Sequence, residues 1–195
     1  FDLQTLILFR HPCGFVSSII RLGWPTSEFV RELLLREKLI ADHLHPVLSV
    51  LEEQANQDGI GAAAAIHGAL NLVLWNTAQT QKLRFARFED LCADPIESFK
   101  EIFSWLALDY TTEVLADHIR LCFAERPDPD SYRVHAVQRN SGGMADTWKR
   151  HLTSEQVATV RKIWDQFNIP LYRSDDEWSI DSFDVEKPCD HRIIA

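Results

Sequence analysis

The start of the chain constrains the fold most. Residues 3–9, LQTLILF, form a short apolar run that ends at Arg10, and Pro12 follows. A run of this length and character suits a strand buried in a parallel sheet. Proline is favoured at the first position of a helix, so a helix is expected over 12–21, broken near Gly23-Trp24-Pro25. A strand that feeds a helix at once is the opening of an α/β arrangement.

The rest of the chain extends this pattern. Phe29, Leu33, Ile40, Leu44, Val47 and Leu51 recur mostly three or four residues apart. They predict a long helical stretch over 27–57 with charges on its other face, kinked or split at Pro46. Asp58-Gly59 interrupts it. Residues 62–79, rich in Ala and Leu, predict a buried helix. Residues 82–88, KLRFARF, alternate polar with apolar and predict a strand.

Asp94-Pro95-Ile96-Glu97 predicts a helix start, with Asp94 as cap, Pro95 at the first position and Glu97 reaching back to the cap amide. That helix carries Phe99, Ile102, Phe103 and Leu106 inward. A further helix is expected over 112–123, and a polar loop over 126–146. Thr153-Ser154-Glu155-Gln156 predicts a second capping box that opens a helix to about residue 167. The expected fold is α/β, a parallel sheet flanked by helices. In such sheets ligands sit beyond the carboxyl ends of the strands. Arg10 stands at one such end, and Glu89-Asp90 follow another.

Composition narrows the partners. The net charge of −9 argues against nucleic acid, whose phosphates need a basic surface. It leaves room for a small anion held by a few local cations. The four cysteines, Cys13, Cys92, Cys122 and Cys189, lack CxxC spacing, so they read as reduced structural thiols and not as a zinc site. No run approaches the roughly 20 apolar residues of a membrane span. The first residues show neither Met nor a basic leader and read as a strand entered mid-fold. Phe1 is therefore taken as a cut edge, uninformative about localisation.

Three segments carry chemistry. In Arg10-His-Pro-Cys-Gly-Phe-Val-Ser-Ser18 a strand end delivers a guanidinium, a planar fork of donors that suits phosphate oxygens. The helix start adds amides and a positive dipole end, and Ser18 adds a hydroxyl. The competing reading is an exposed Arg paired with a carboxylate. In Arg87-Phe-Glu-Asp-Leu-Cys-Ala-Asp-Pro95, Glu89 and Asp90 are either paired catalytic carboxylates or partners for amides or an Arg in the turn; the second fits better. In Arg139-Asn-Ser-Gly-Gly-Met-Ala-Asp-Thr-Trp-Lys149, small residues let amides converge on an anion, and Arg139, Lys149 and Arg150 supply charge. Trp148 either stacks on a ligand or anchors a surface loop.

The order and character of these segments resemble the cytosolic and bacterial sulfotransferases that use 3′-phosphoadenosine 5′-phosphosulfate. Arg10 and Ser18 match that family's R-x7-S segment, which binds the donor's 3′-phosphate. Phe88 to Pro95 matches Y/F-E-D-L-x-x-D-P before a helix with a leucine-rich end, here Phe103-Ser-Trp-Leu-Ala-Leu108. Trp148, Lys149, Leu152 and Thr153 match W-K-x-x-L/F-T/S after a Gly-containing loop. The resemblance covers roughly residues 3–172, with an acidic tail or arm over 173–195. Two departures stand out. Arg139 lies further upstream of the Trp than in the family, with Ser141 in the expected Arg register. Phe88 replaces a frequent Tyr.

The resemblance implies a P-loop NTPase-like sulfotransferase fold, N-terminally incomplete. The family's first strand, its phosphosulfate loop (P-K-S/T-G-T-like) and its catalytic base would all precede residue 3. It implies sulfonyl transfer to a hydroxyl or amine on a small molecule, glycan or peptide, without a metal, and a cytoplasmic location. The nucleotide-binding residues it implies are Arg10, Ser18, Phe88, Arg139, Ser141, Gly142, Trp148 and Lys149, with no catalytic residue in this chain, which alone would be inactive. Two rival readings are a non-catalytic nucleotide-binding or interaction module and a P-loop kinase-like phosphotransferase. The latter's G-x-x-x-x-G-K-S/T pattern is absent from this sequence.

Overall fold

The computed structural model describes residues 4–123 and 141–180. In chain order the elements are β1 (Leu6–Phe9), α1 (Pro12–Arg21), α2 (Thr26–Leu34), α3 (Glu37–Leu39), α4 (Leu48–Gln54), α5 (Ile60–Gln81), β2 (Arg84–Arg87), α6 (Phe88–Ala93), α7 (Pro95–Trp105), α8 (Thr112–Cys122), α9 (Ser154–Gln166) and α10 (Asp175–Trp178). The described residues are mostly helical, with one small parallel sheet. They fall into two compact units: the chain up to Arg87 with Thr147–Ile180, and the stretch between Phe88 and Asp146.

In the first unit β1 and β2 pair in parallel, with Leu6 opposite Arg84 and Phe9 opposite Arg87. Ile7 and Phe9 are buried with Ala78 against Trp75, Leu83 and Leu171. Alternation turns Leu8 to the other face, where it is 50% exposed. The expected strand buried on both faces is therefore buried on one, and the flanked sheet is two-stranded among the described residues.

α5 is the central helix, packed by α1, α2, α4 and α9. Ala62 to Ala65, Gly68 and Ala69 make this crowding possible, because small side chains let helices approach closely. A Cβ at Gly68 would run into the Phe167 ring. The helix begins after Gly59, whose φ of 121° suits glycine alone. The same turn caps α2: Asp58 Oδ1 accepts from the Ser27 amide at 2.7 Å, and Thr26 Oγ1 accepts from the Gly59 amide at 2.9 Å. Bonds from Ser27, led by its amide, and from the Thr26 hydroxyl, with the Arg31 charge, hold the Asp58 carboxyl below its ordinary range.

The long stretch expected over 27–57 is broken more than one proline requires. Arg36 leaves the helical region (φ −87°, ψ 68°), and α3 runs into a π-helical turn, Ile40–Leu44, then a 3-10 turn, His45–Val47. Pro46 has no N–H to donate to the carbonyl four residues back, so the regular ladder fails there. α9 opens on the expected capping box: Gln156 N donates to Thr153 Oγ1, and the Gln156 side chain accepts from Thr153 N. From Arg173, where an acidic tail or lightly packed arm was expected, the described residues pack as far as Ile180. Ser174 caps α10, and Trp178 is 5% exposed.

In the second unit Asp94 caps α7 by accepting from the Glu97 amide at 3.3 Å. Glu97 does not reach back to the cap. Its carboxylate takes the nearer cation, Lys100, at 2.6 Å. Phe99, Phe103, Tyr110 and His118 form an edge-to-face cluster, and Tyr110 and His118 are hydrogen-bonded at 2.7 Å.

Candidate functional site

The site is built where β1 ends and α1 begins. His11 is the N-cap of α1: its Nδ1 accepts from the Cys13 amide at 3.2 Å, and Pro12 occupies the first helical position. The Arg10 side chain folds back over this first turn. A Cβ at Gly14 would stand 3.0 Å from Arg10 Nε and 3.6 Å from Cζ, so glycine leaves the space that the guanidinium crosses. Ser18 Oγ donates to the Gly14 carbonyl at 3.0 Å. The Arg10 guanidinium thus lies at the positive end of the helix, while the Ser18 hydroxyl, one turn further in, bonds its own helix's backbone.

Trp148 and Lys149 lie in a 3-10 turn, Thr147–Arg150, that packs on α1. Trp148 is 2% exposed, and one face of its ring is covered by His11, with centroids 5.0 Å apart and planes 1° from parallel. This fits the anchoring reading of Trp148. Lys149 Nζ lies 5.6 Å from the same ring. Tyr172 and Trp178 meet His11 edge-on. Arg87 crosses the Tyr172 ring at 4.5 Å and pairs with Glu177 at 2.7 Å. Burial pushes His11 down to about 3, aided by His67, Arg87 and Lys149, with the nearby Glu177 backbone opposing this only in part. His11 is therefore a neutral ring that locks the helix start to Trp148. Cys13, buried beside it, has its thiol pushed far up by desolvation and is not a nucleophile at neutral pH.

The other expected site residues belong to the second unit. Phe88 opens α6, with Glu89 and Asp90 in its first turn. Ser141 and Gly142 form a 3-10 turn, Ser141–Gly143, that packs on α6. Arg139 lies outside the described residues. Among the described residues no group of three or more His, Cys, Asp or Glu side chains could hold a metal ion, and no helix is long and apolar enough to cross a membrane.

A family model described as sulfotransferase domain matches residues 69–168. The chain belongs to the sulfotransferase family. The match spans most of α5, all of α6 to α8, and α9. It thus includes Phe88, Ser141, Gly142, Trp148 and Lys149, while Arg10 and Ser18 precede it. No curated protein matches the chain. No solved structure matches it either.

Sequence reasoning passed over His11, His67, Asn71, Arg87 and Trp178 as parts of the site. One signal was visible. His67 and Asn71 stand four residues apart inside an otherwise apolar helix, where unsatisfied polar groups are costly and so are paired.

Proposed function

We propose that the chain serves a sulfotransferase that moves a sulfonate from 3′-phosphoadenosine 5′-phosphosulfate to a hydroxyl or amine acceptor. Its part is to hold the donor's 3′-phosphate. In the reaction the acceptor oxygen or nitrogen forms a bond to sulfur and gives up its proton. The bond from sulfur to the bridging oxygen breaks, and adenosine 3′,5′-bisphosphate leaves with the electron pair. By analogy with phosphoryl transfer, the protein contributes alignment and charge stabilisation. Arg10 and Ser18 align the donor at its far phosphate and perform no bond chemistry.

The observation that carries this reading is the Arg10 guanidinium lying across Gly14 in the first turn of α1, with the Ser18 hydroxyl one turn further on, bonded to the Gly14 carbonyl. Guanidinium, hydroxyl and helix dipole together suit a phosphate dianion. Lys149, on the turn packed against the same helix, adds local positive charge in a chain of net charge −9. The reading implies a fold related to the P-loop NTPases, with which the parallel β1–β2 pair and the helix that follows β1 are compatible. The assignment of Phe88, Arg139, Ser141 and Gly142 to the nucleotide is a matter of sequence resemblance.

Calorimetry tests the proposal by comparing adenosine 3′,5′-bisphosphate with adenosine 5′-monophosphate, which lacks the 3′-phosphate. Arg10→Ala should cost the bisphosphate about 1.5–3 kcal/mol, the range for a hydrogen bond to a charged group, and the monophosphate far less. Equal losses for both ligands would remove Arg10 from the 3′-phosphate site. If neither nucleotide binds the unaltered chain, the non-catalytic interaction module is the better reading.

A further inference from the structure

α5 buries two polar side chains one turn apart, His67 at 5% and Asn71 at 4% exposure. Each has work there. The Arg10 carbonyl lies past the end of β1 and before the start of α1. His67 Nε2 stands 2.9 Å from it. A carbonyl only accepts, so Nε2 carries the proton. Asn71 Nδ2 lies 2.7 Å from the His67 carbonyl, and it approaches the ring at 3.0 Å from Nδ1 and 3.3 Å from Nε2. The first contact identifies this atom as the amide nitrogen, and Nδ1 is the nearer ring nitrogen. Asn71 thus donates to the His67 carbonyl and leans on the ring from the Nδ1 side, and His67 donates to Arg10.

The ring is held flat as well as oriented. Phe15 stacks on it at 4.4 Å and 16°, and Trp164 at 5.7 Å and 28°. Desolvation lowers its pKa to about 4, with the Arg10 charge adding to the effect and the Arg10 carbonyl bond opposing it. The ring is therefore neutral at physiological pH, and it fixes the turn without placing a second cation beside Arg10.

We propose that His67 is a positioning residue for Arg10: oriented by Asn71, it pins the Arg10 carbonyl and so sets the direction in which the Arg10 side chain leaves the main chain toward Gly14. The inference deepens the proposed function and rests on it. Arg10 has many rotatable bonds, and binding geometry has to hold within about 0.5 Å. A turn anchored at its carbonyl removes the main-chain share of that freedom. The role requires a donor at the Nε2 position and nothing else of imidazole, so glutamine can replace histidine and phenylalanine cannot.

The test uses the full chain and the variants His67→Gln, His67→Phe and Asn71→Leu. Calorimetry compares adenosine 3′,5′-bisphosphate with adenosine 5′-monophosphate, and nitrogen NMR of the ring reads its tautomer. The unaltered chain should show a neutral ring protonated on Nε2. His67→Phe should lower the preference for the bisphosphate about tenfold, the scale of one hydrogen bond in a charged site. His67→Gln should restore most of that preference, and Asn71→Leu should mix the tautomers and lower the preference in part. If His67→Phe does not fold, the Gln and Leu variants decide by the same measure. A ring protonated on Nδ1, or a preference that no variant changes, overturns the inference alone. Equal binding of the two nucleotides by the unaltered chain overturns the inference and the proposed function together.

Discussion

Gly14→Ala separates the stability of the first turn of α1 from its proposed work. Gly14 is helical and its φ is not positive, so alanine fits the backbone. On helix propensity alone the change stabilises, by about 0.5–1 kcal/mol. The new methyl, however, would lie 3.0 Å from Arg10 Nε. Non-bonded heavy atoms settle at about 3.5–4.0 Å. The guanidinium has to retreat by a few tenths of an ångström, which a long flexible side chain does at little cost to the fold. It then no longer lies over the helix start as before.

A full charge-assisted hydrogen bond contributes about 1.5–3 kcal/mol. Weakening it by half costs roughly 1 kcal/mol, or about a fivefold loss of affinity. The expected outcome is a melting temperature that holds or rises, with adenosine 3′,5′-bisphosphate bound about fivefold more weakly and adenosine 5′-monophosphate unaffected. Calorimetry and a thermal melt on the same samples read both. An unchanged bisphosphate affinity would show that Arg10 does not act from its position over Gly14. A lower melting temperature would show that the first turn cannot take the methyl.

Two further outcomes follow from the buried histidines and from one backbone angle. His11 and His67 are lowered to about 3 and about 4 from an ordinary 6.5, so below pH 6.5 the unfolded chain binds protons that the folded one refuses; stability is complete above that pH and falls as pH drops, by about 1.4 kcal/mol per unit for each ring, or about 4 kcal/mol in all between pH 7 and pH 5. Urea midpoints at the two pH values check this, and a midpoint that does not move would mean that the rings are protonated in the folded chain. Ala107 ends α7 with φ of 54° in a Schellman turn, Leu108 N to Phe103 O at 2.9 Å and Ala107 N to Ser104 O at 3.1 Å; Ala107→Gly relieves a left-handed alanine and should stabilise by about 0.5–1 kcal/mol after glycine's greater chain entropy is counted, and a lower melting temperature would contradict that geometry.

How legible each part was in the sequence depends on how local its cause is. The start and end of α1 were readable because Pro12 and the Gly23-Trp24-Pro25 break act on their own neighbours. The capping box of α9 was readable for the same reason, since Thr153 and Gln156 satisfy each other. Local signals misled where a distant or competing partner decided. Glu97 had the pattern of a capping-box residue, yet Lys100 one turn on took its carboxylate. The acidic composition after Arg173 suggested a tail or lightly packed arm; how Trp178 packs there is set by His11 and Tyr172, and nothing near Trp178 in sequence announces His11. The fold-back of Arg10 over Gly14 was out of reach, because it depends on which way one side chain turns. The His67–Asn71 pair gave a signal, two polar residues in an apolar helix, but its target, the Arg10 carbonyl, lies 57 residues away.

The charge balance around Arg10 explains why so polar a turn is built with so few charges. The turn from Arg10 to Cys13 is fixed at both ends by imidazole, which donates through His67 to the Arg10 carbonyl and accepts through His11 from the Cys13 amide. Arginine or lysine in either place could donate but not accept, and each would stand as a like charge against Arg10. A carboxylate could accept, but it would pair with the guanidinium and compete with any anion. Neutral imidazole is the one side chain that does either job by tautomer alone, and burial keeps both rings neutral. Neither histidine then adds a like charge beside Arg10 or a carboxylate that would compete with an anion there. The arrangement ties the two histidines to the proposed anion site by electrostatics as well as by geometry. Introducing a fixed charge at either ring, as in His67→Lys, should therefore weaken phosphate recognition even where the fold survives.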